Sequence, residues 1–339
     1  MKPTDFATRL TAFLSQYLPG QRNVSVNTIK SYRDTFKLLL VFCHDQKGIA
    51  PEYVTIAHID ERFVIEFLEW IEKERNCGIS TRNQRLAAIH SFFRYLQTET
   101  PERLLLCQRI LSTPFKKSGR AMVSYLTFDA LKSILEQPDR SSRDGRRDLV
   151  LLTVLYDTGA RVQELIDLVV KNIRLENPPV ISLTGKGNKT RHVPLMGKTT
   201  KLISDYLAER HLLSTAMNDY PVFYNKQRKK LTRAGVTYIL NKYVKAVRAA
   251  GIFPLPDKVT PHVFRHTKAM HLLQANVNLV YIRDLLGHVS VTTTEMYARA
   301  DTEVKRLALE KAYVDIVTDD IPKWSEDKDL LSWLQNFCH

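Results

Sequence analysis

Reactive side chains recur in the second half of this chain, in frames that an ordinary core would not need. Arg161 directly follows Thr158-Gly159-Ala160 and precedes Glu164 by one helical turn. Gly185-Lys186-Gly187-Asn188-Lys189 carries two lysines on a glycine-rich tip. His262 and Arg265 stand three apart in Thr-Pro-His-Val-Phe-Arg-His-Thr and so share a helix face. His288 closes Leu285-Leu286-Gly287-His288, and Tyr297 follows nine residues later. Two guanidiniums can clamp an oxyanion through bidentate, permanently charged bonds that lysine does not imitate. Imidazoles and amines can carry protons. Each residue alone also has a plainer reading. Arg161 would be half of a helical ion pair worth about a few tenths of a kcal/mol. His288 would answer a helix dipole, and Tyr297 would be half-buried packing.

Taken in order, these frames resemble the tyrosine recombinase (phage integrase) family: Arg161, a lysine in a glycine-bounded hairpin, His262-x-x-Arg265, Leu286-Gly287-His288, then Tyr297. The resemblance covers roughly residues 120–300, and the N-terminal helices are more loosely similar to that family's core-binding domain. It implies that Arg161 and Arg265 hold the non-bridging oxygens of a scissile DNA phosphodiester. Losing one such donor costs roughly 3–4 kcal/mol of transition-state stabilisation. His288 would be a third donor, and His262 would either donate too or accept a proton from the attacking tyrosine. Tyr297 matches the nucleophile, a phenol of pKa about 10 that must lose its proton as it attacks. The product implied is a 3′-phosphotyrosine with a free 5′-hydroxyl, formed without ATP. Lys186 matches the general acid for the leaving 5′-oxygen, with Lys189 as a competitor three residues away, and Glu164 matches a supporting acidic position. The chain departs from the family at Ala160, where a bulky apolar residue often precedes the first arginine.

Histidine spacing invites one other chemistry. His262 and His266 are an i, i+4 pair, with His271 beyond. The segment lacks the glutamate of a zinc protease helix and places an arginine inside the would-be site, so no metal is expected. Without a glycine-rich phosphate loop, nucleotide hydrolysis is not indicated, and no cofactor is expected.

The elements that must carry these residues read mostly as helices. Thr4 to Tyr17, Val26 to Cys43, Ile59 to Arg75 and Ser80 to Gln97 have apolar residues at three-to-four spacing and form an N-terminal unit over residues 1–114. A basic, non-periodic stretch at 115–124 reads as a linker. In residues 125–300, helices are expected from Thr127, over Asp148 to Thr158 and from Val162. Others are expected over Thr200–Leu213, Thr232–Ala250, His262–Gln274, Val277–Leu286 and Thr292–Ala298. Val180–Leu183 and His192–Leu195 read as a hairpin around the lysine tip. The fold class is therefore mainly α: a helical core-binding domain plus a mixed, mostly α catalytic domain with a small β-hairpin or sheet.

Composition agrees with an anionic partner. Fifty Lys+Arg against 36 Asp+Glu give +14 over 339 residues. Residues 301–339 hold five basic and nine acidic side chains, −4, which leaves +18 on residues 1–300. That balance favours nucleic acid for the body and protein contact for the acidic tail. Candidate DNA contacts are Thr28, Lys30 and Arg33 on the second helix and Thr81, Arg82, Arg85 and Arg94 on the polar side of the fourth. Lys230, Thr232, Arg233 and Lys242 join them at and after a helix start suited to phosphate. No apolar run approaches the roughly 18 residues that cross a bilayer. Four scattered cysteines suit a reducing, cytoplasmic setting rather than a disulfide framework.

The reading that follows is a DNA strand-exchange enzyme working through a Holliday junction as a homo-tetramer on double-stranded DNA. Apolar residues at helical spacing in the tail, including Leu330, Leu331, Trp333, Leu334 and Phe337, would join protomers. A mobile element is the expected context. The rivals are a type IB topoisomerase-like nicking-rejoining enzyme and a non-catalytic DNA-binding regulator. A need for two sites separates the first, and a covalent protein–DNA adduct separates the second.

Overall fold

Capping chemistry starts the helices where short polar residues precede apolar runs. The computed structural model describes residues 2–117, 123–185, 187–288, Thr294, Tyr297 and 330–336, with Leu330, Trp333 and Asn336 as backbone only. Outside these residues lie Lys186, part of the expected linker, most of the helix expected at 292–298, and residues 301–329 and 337–339 of the tail. The chain divides into two units, Met1–Ala121 and Met122–His339. Among the described residues, no helix is long and apolar enough to cross a membrane.

The first unit is helical. Thr4 caps α1 (Asp5–Ala12), accepting the Ala7 N–H at 3.2 Å. The helix expected to continue to Tyr17 instead widens into a π-helix over Phe13–Gln21, where Pro19 has no N–H to give and Arg22 donates to the Tyr17 carbonyl. Ser25 and Asp60 cap α2 (Val26–Lys47) and α3 (Glu61–Lys73), and α4 (Ile79–Glu99) and α5 (Leu104–Leu111) follow. Phe6, Phe13, Phe36 and Phe92 meet in the core, with Phe92 ring centroids 5.3 Å from Phe13 and 5.2 Å from Phe36. Aromatic edges against faces add to the burial of their area.

Two of the expected DNA contacts on α4 are turned inward. Arg82, expected on the polar side, is only 6% exposed and donates to the Pro114 carbonyl at 3.0 Å. Half-buried Arg85 donates to the Ser31 carbonyl and to Thr35 Oγ1, both at 3.1 Å, tying α4 to α2. Helical spacing puts both on a polar stripe, but that stripe faces neighbouring chain whose carbonyls need donors. Phe115 to Lys117 are not free chain either: Lys116 pairs with Glu72 at 2.6 Å and its carbonyl accepts from Asn83.

The second unit combines helices with one small sheet, the mainly α class expected. Its helices are α6 (Phe128–Glu136), α7 (Arg143–Asp157), α8 (Val162–Ile166), α9 (Gly197–Glu209), α10 (Arg233–Ala250), α11 (Pro261–Gln274), α12 (Leu279–Leu286) and α13 (Leu330–Asn336). Helix α7 begins five residues before the expected Asp148, because Ser142 caps it by accepting the Gly145 N–H at 3.0 Å. The hairpin forms as β2 (Val180–Thr184) against β3 (Thr190–Pro194), antiparallel with Ile181 opposite Val193. A two-residue strand, β1 (Ile173–Arg174), joins the other edge of β2. Two residues carry no periodicity, which is why the sequence does not announce it.

Phe92→Ala should lower unfolding free energy by about 3–5 kcal/mol, because a fully buried ring surrounded by other rings leaves a cavity. Urea titration of the whole chain, followed by circular dichroism, should show the helical transition moved to lower urea. An unchanged midpoint would mean that the aromatic cluster is not what holds the first unit together.

Candidate active site

The site is built where two chain reversals meet the hairpin. Helix α7 ends at Asp157 with Thr158 as its C-cap, and Gly159 turns the chain with φ +56°. Buried Ala160 follows, and Arg161 becomes the residue that opens α8. On the other side, α12 ends at Gly287, φ +64°, and delivers His288. A Cβ on Gly159 would lie 2.7 Å from Leu286, so this crossing of the two reversals needs glycine for space as well as for dihedral angle.

Glu164 sits 4% exposed between two arginines. Its Oε1 accepts from Arg161 Nη1 at 2.7 Å and its Oε2 from the Arg161 backbone N–H at 2.8 Å. Arg191, on β3, donates Nη1 and Nη2 to the two carboxylate oxygens at 3.0 and 2.8 Å and Nε to the Leu285 carbonyl at 2.7 Å. Burial pushes the Glu164 pKa up, but hydrogen bonds from Arg191 and the Arg161 backbone, with the arginine charges, outweigh it and hold it down to about 2. Gly185 makes room: a Cβ there would come within 2.8 Å of Glu164 Oε1.

Arg265, on α11, is 3% exposed and donates to the carbonyls of Gly159 and Leu286 at 2.7 and 2.6 Å. Arg161 Nη2 reaches the Gly287 carbonyl at 3.2 Å. Burial, then repulsion from Arg161 and Arg191, lowers the Arg265 pKa to about 10. It stays charged near neutral pH, held by dipoles and not by a carboxylate of its own.

Three imidazoles and the phenol complete the cluster. The Tyr297 hydroxyl, on a side chain 1% exposed, lies 2.8 Å from His266 Nδ1. Burial raises the Tyr297 pKa, while Arg265 and Arg161 pull against that rise. The His288 ring lies parallel to the Tyr297 ring with centroids 6.3 Å apart, and its Nδ1 is 3.0 Å from Thr294 Oγ1. Burial first, then Arg265 and Arg161, lowers the His288 pKa to about 4. His262 is exposed, its ring 6.1 Å from that of His266, and desolvation together with Arg265 and Arg161 lowers its pKa.

The structure thus brings together Arg161, Glu164, Arg265, His288 and Tyr297, with His262 at the edge. Lys186 lies outside the described residues; Lys189 is exposed on the hairpin tip, its carbonyl accepting from the Gly185 N–H at 2.9 Å. Two further members are Arg191 and His266. Nothing in the sequence singles out Arg191, which lies just before the strand expected from His192, and the sequence marks His266 only as a would-be metal ligand. The i, i+1 adjacency of Arg265 and His266 was the available signal for the latter.

The expected DNA contacts outside the cluster are arranged variously. Lys30, Arg94 and Lys242 are exposed, and Thr28 and Thr81 are partly so. Arg33 is paired with Asp34 at 2.8 Å. Thr232 caps α10 by accepting the Gly235 N–H at 3.1 Å. Lys230 pairs with Asp167, and Arg233 donates to Gln163 Oε1 at 2.7 Å, so the start of α10 is bonded to α8 and the loop after it.

Residues 124–303 match the model of the phage integrase family, and residues 10–100 match that of the phage integrase N-terminal SAM-like domain. The putative integrase/recombinase y4rC of Sinorhizobium fredii is 35% identical over 336 residues, 99% of each chain. Tyrosine recombinase XerC of Roseiflexus castenholzii is 33% identical over 299 residues, 87% of this chain and 90% of its own. Two solved structures share the fold. The Tn1549 transposon integrase in complex with transposon right end DNA has a TM-score of 0.69 at 18% identity, covering 88% of this chain and 97% of that one. The XerH site-specific recombinase bound to palindromic difH substrate has a TM-score of 0.68 at 24% identity, covering 87% and 81%.

Glu164→Gln should destabilise the second unit, and the loss should depend on pH in a set direction. The folded pKa, about 2, lies below the ordinary 4.5, so the carboxylate's contribution is fully present above about pH 4.5 and is lost as pH falls towards 2. The shift corresponds to stabilisation on the order of 3 kcal/mol. Thermal melts of the wild type and variant should differ by a constant amount above pH 5 and converge below it. A difference unchanged between pH 5 and 3 would overturn the ionic account.

Proposed function

This chain belongs to the phage integrase family of tyrosine recombinases, and from that premise we propose that it cuts and rejoins double-stranded DNA at specific sites through a 3′-phosphotyrosine at Tyr297. The observation that carries this is the convergence of Arg161, Arg265 and His288 beside a buried tyrosine hydroxyl. Glu164 pairs with Arg161 and Arg191 while Arg265 has carbonyl partners, so among the described residues the site holds an excess of positive charge. A phosphodiester supplies the missing negative charge. As Tyr297 Oη bonds to phosphorus, charge grows on the non-bridging oxygens, and donors already fixed in place stabilise it without reorganising. Lys186 protonates the leaving 5′-oxygen. Attack by a second strand's 5′-hydroxyl then completes exchange by way of a Holliday junction. The hydroxyl needs no activated cofactor, since one phosphodiester replaces another of similar energy.

Integration of a mobile element is the context we favour, because the similarity to the putative integrase/recombinase of S. fredii runs over 99% of both chains, the acidic tail included. Assembly as a homo-tetramer on DNA fits the charge division, −4 in residues 301–339 against +18 elsewhere, which sends the tail to protein and the body to phosphate. Helix α13 carries exposed Leu334 on this tail, an apolar surface suited to a protomer contact.

Tyr297→Phe should bind DNA as the wild type does and form no covalent adduct, since only the hydroxyl is removed. The test is a nicked duplex built on the sequence that the protein selects from a random DNA library, with SDS-resistant complexes resolved on a gel. A Phe variant that still yields an adduct refutes the nucleophile. Removal of residues 325–339 should leave single-site binding nearly intact and reduce complexes that pair two sites, read by gel-shift titration. Paired-site complexes formed as readily as by the whole chain would remove the tail from the interface.

A further inference from the structure

The buried hydroxyl of Tyr297 has one hydrogen-bond partner among the described residues, and it is not the histidine that the family resemblance singles out. His262 is exposed and has no described contact with Tyr297. The His288 ring runs parallel to the Tyr297 ring, with its Nδ1 directed to Thr294 Oγ1. His266 alone places a ring nitrogen, Nδ1, 2.8 Å from the phenolic oxygen. The two rings are tilted by 58° with centroids 5.6 Å apart, so the contact is edge to hydroxyl and not a stack.

We propose that His266 is the general base of the reaction: its Nδ1 takes the proton from Tyr297 Oη as that oxygen bonds to the scissile phosphorus, and returns it when the step reverses. The proposal rests on Tyr297 being the nucleophile. The balance is simple. In cleavage the P–Oη bond forms, the P–O5′ bond breaks, His266 becomes imidazolium, and the leaving 5′-oxygen takes a proton from the lysine acid. In rejoining, a 5′-hydroxyl gives its proton to that amine, and the departing Tyr297 oxygen recovers its own from His266.

The surroundings explain how such a base is kept ready and restrained. Around His266 stand His262 and Arg265 on its own helix and His288 after α12, and His288 in turn feels Arg161 from the start of α8 and Arg191 from β3. Among the described residues Glu164 is the carboxylate of the cluster, and its oxygens are committed to Arg161 and Arg191. Burial first, then His262 and Arg265, lowers the His266 pKa to about 4. The imidazole is therefore neutral near pH 7, and in its Nε2–H tautomer, the one the proposal requires, Nδ1 offers a lone pair and the Tyr297 hydroxyl is the donor. So weak a base does not ionise a phenol by itself. A phosphodiester anion seated between Arg161, Arg265 and His288 offsets the positive field that depresses His266, and the Oη proton becomes acidic as the P–O bond forms. Proton transfer is thereby tied to the presence of substrate. Position is fixed by α11, which also holds Arg265 one residue earlier, so base and oxyanion clamp move as one body.

The test uses the full chain, the same nicked duplex, and single-turnover formation of the covalent adduct. His266→Ala should slow adduct formation about 10²-fold or more, the range for loss of a general base, with DNA affinity nearly unchanged. His266→Gln offers the hydroxyl an acceptor but takes no proton, and should be as slow as Ala. Replacing Tyr297 with 3,5-difluorotyrosine, a more acidic phenol, should recover most of the rate in both variants and alter the wild type little. The variants' rates should then rise with pH as the phenol ionises. Wild-type rates in His266→Ala, full activity in His266→Gln, or no recovery by the fluorinated tyrosine in variants that bind DNA and melt normally would each overturn the assignment. Failure of the nucleophile reading is a separate result, an adduct formed by Tyr297→Phe with His266 intact.

Discussion

One buried carboxylate makes the rest of the site possible. Arg161, Arg191 and Arg265 crowd together, and like charges at such distances in a partly desolvated setting repel by several kcal/mol. Glu164 answers with four hydrogen bonds from two of them and stays ionised far below neutral pH. A neutral side chain there would leave the partly buried guanidiniums of Arg161 and Arg191 facing each other. Glu164 also binds the backbone at the start of α8, so a single group sets both the charge of the cluster and the entry angle of the helix that carries Arg161.

The remaining positive charge is held in place by carbonyl dipoles. Arg265 donates to Gly159 and Leu286, Arg161 to Gly287, and Arg191 to Leu285. Each bond satisfies a donor without cancelling its charge, unlike a second carboxylate. The acceptors belong to the two glycine reversals, so the ends of α7 and α12 are cross-linked by the same arginines that are proposed to face the reaction. A phosphodiester entering such a site meets charge already oriented, and the cost of that arrangement is borne when the protein folds.

Helices and most of the cluster were legible in the sequence because they rest on local rules. Periodicity gave α2, α3, α10 and α11, and short-range frames marked Arg161, the pair His262 and Arg265, His288 and Tyr297. What was not legible depends on long-range approach. Arg191 enters the site because hairpin register points it at Glu164, 27 residues away in sequence. His266 meets Tyr297 across 31 residues, and no local pattern tells a core histidine from one aimed at a hydroxyl. Arg82 and Arg85 were misplaced for the same reason, since a polar stripe does not reveal which neighbour's carbonyls it will meet. The Pro19 widening and β1 are too short to leave a period.

Net charge alone would overstate some of these contacts and understate others, and the pairing energies decide between them. Exposed ion pairs such as Arg33 with Asp34, or Lys230 with Asp167, are each worth about 0–1 kcal/mol. Exchanging such a carboxylate for a DNA phosphate costs little, and releases counterions from the DNA besides. Those residues remain able to grip DNA although they are already paired. Arg82 is different. The residue is 6% exposed and its Nη1 donates to the Pro114 carbonyl and to Asn83 Oδ1, so withdrawing it would break contacts that tie α4 to the segment after α5. In the proposed DNA contact, the charge of the first unit therefore falls to exposed residues such as Lys30, Arg33 and Arg94, while Arg82 and Arg85 set the packing of the helices that present them.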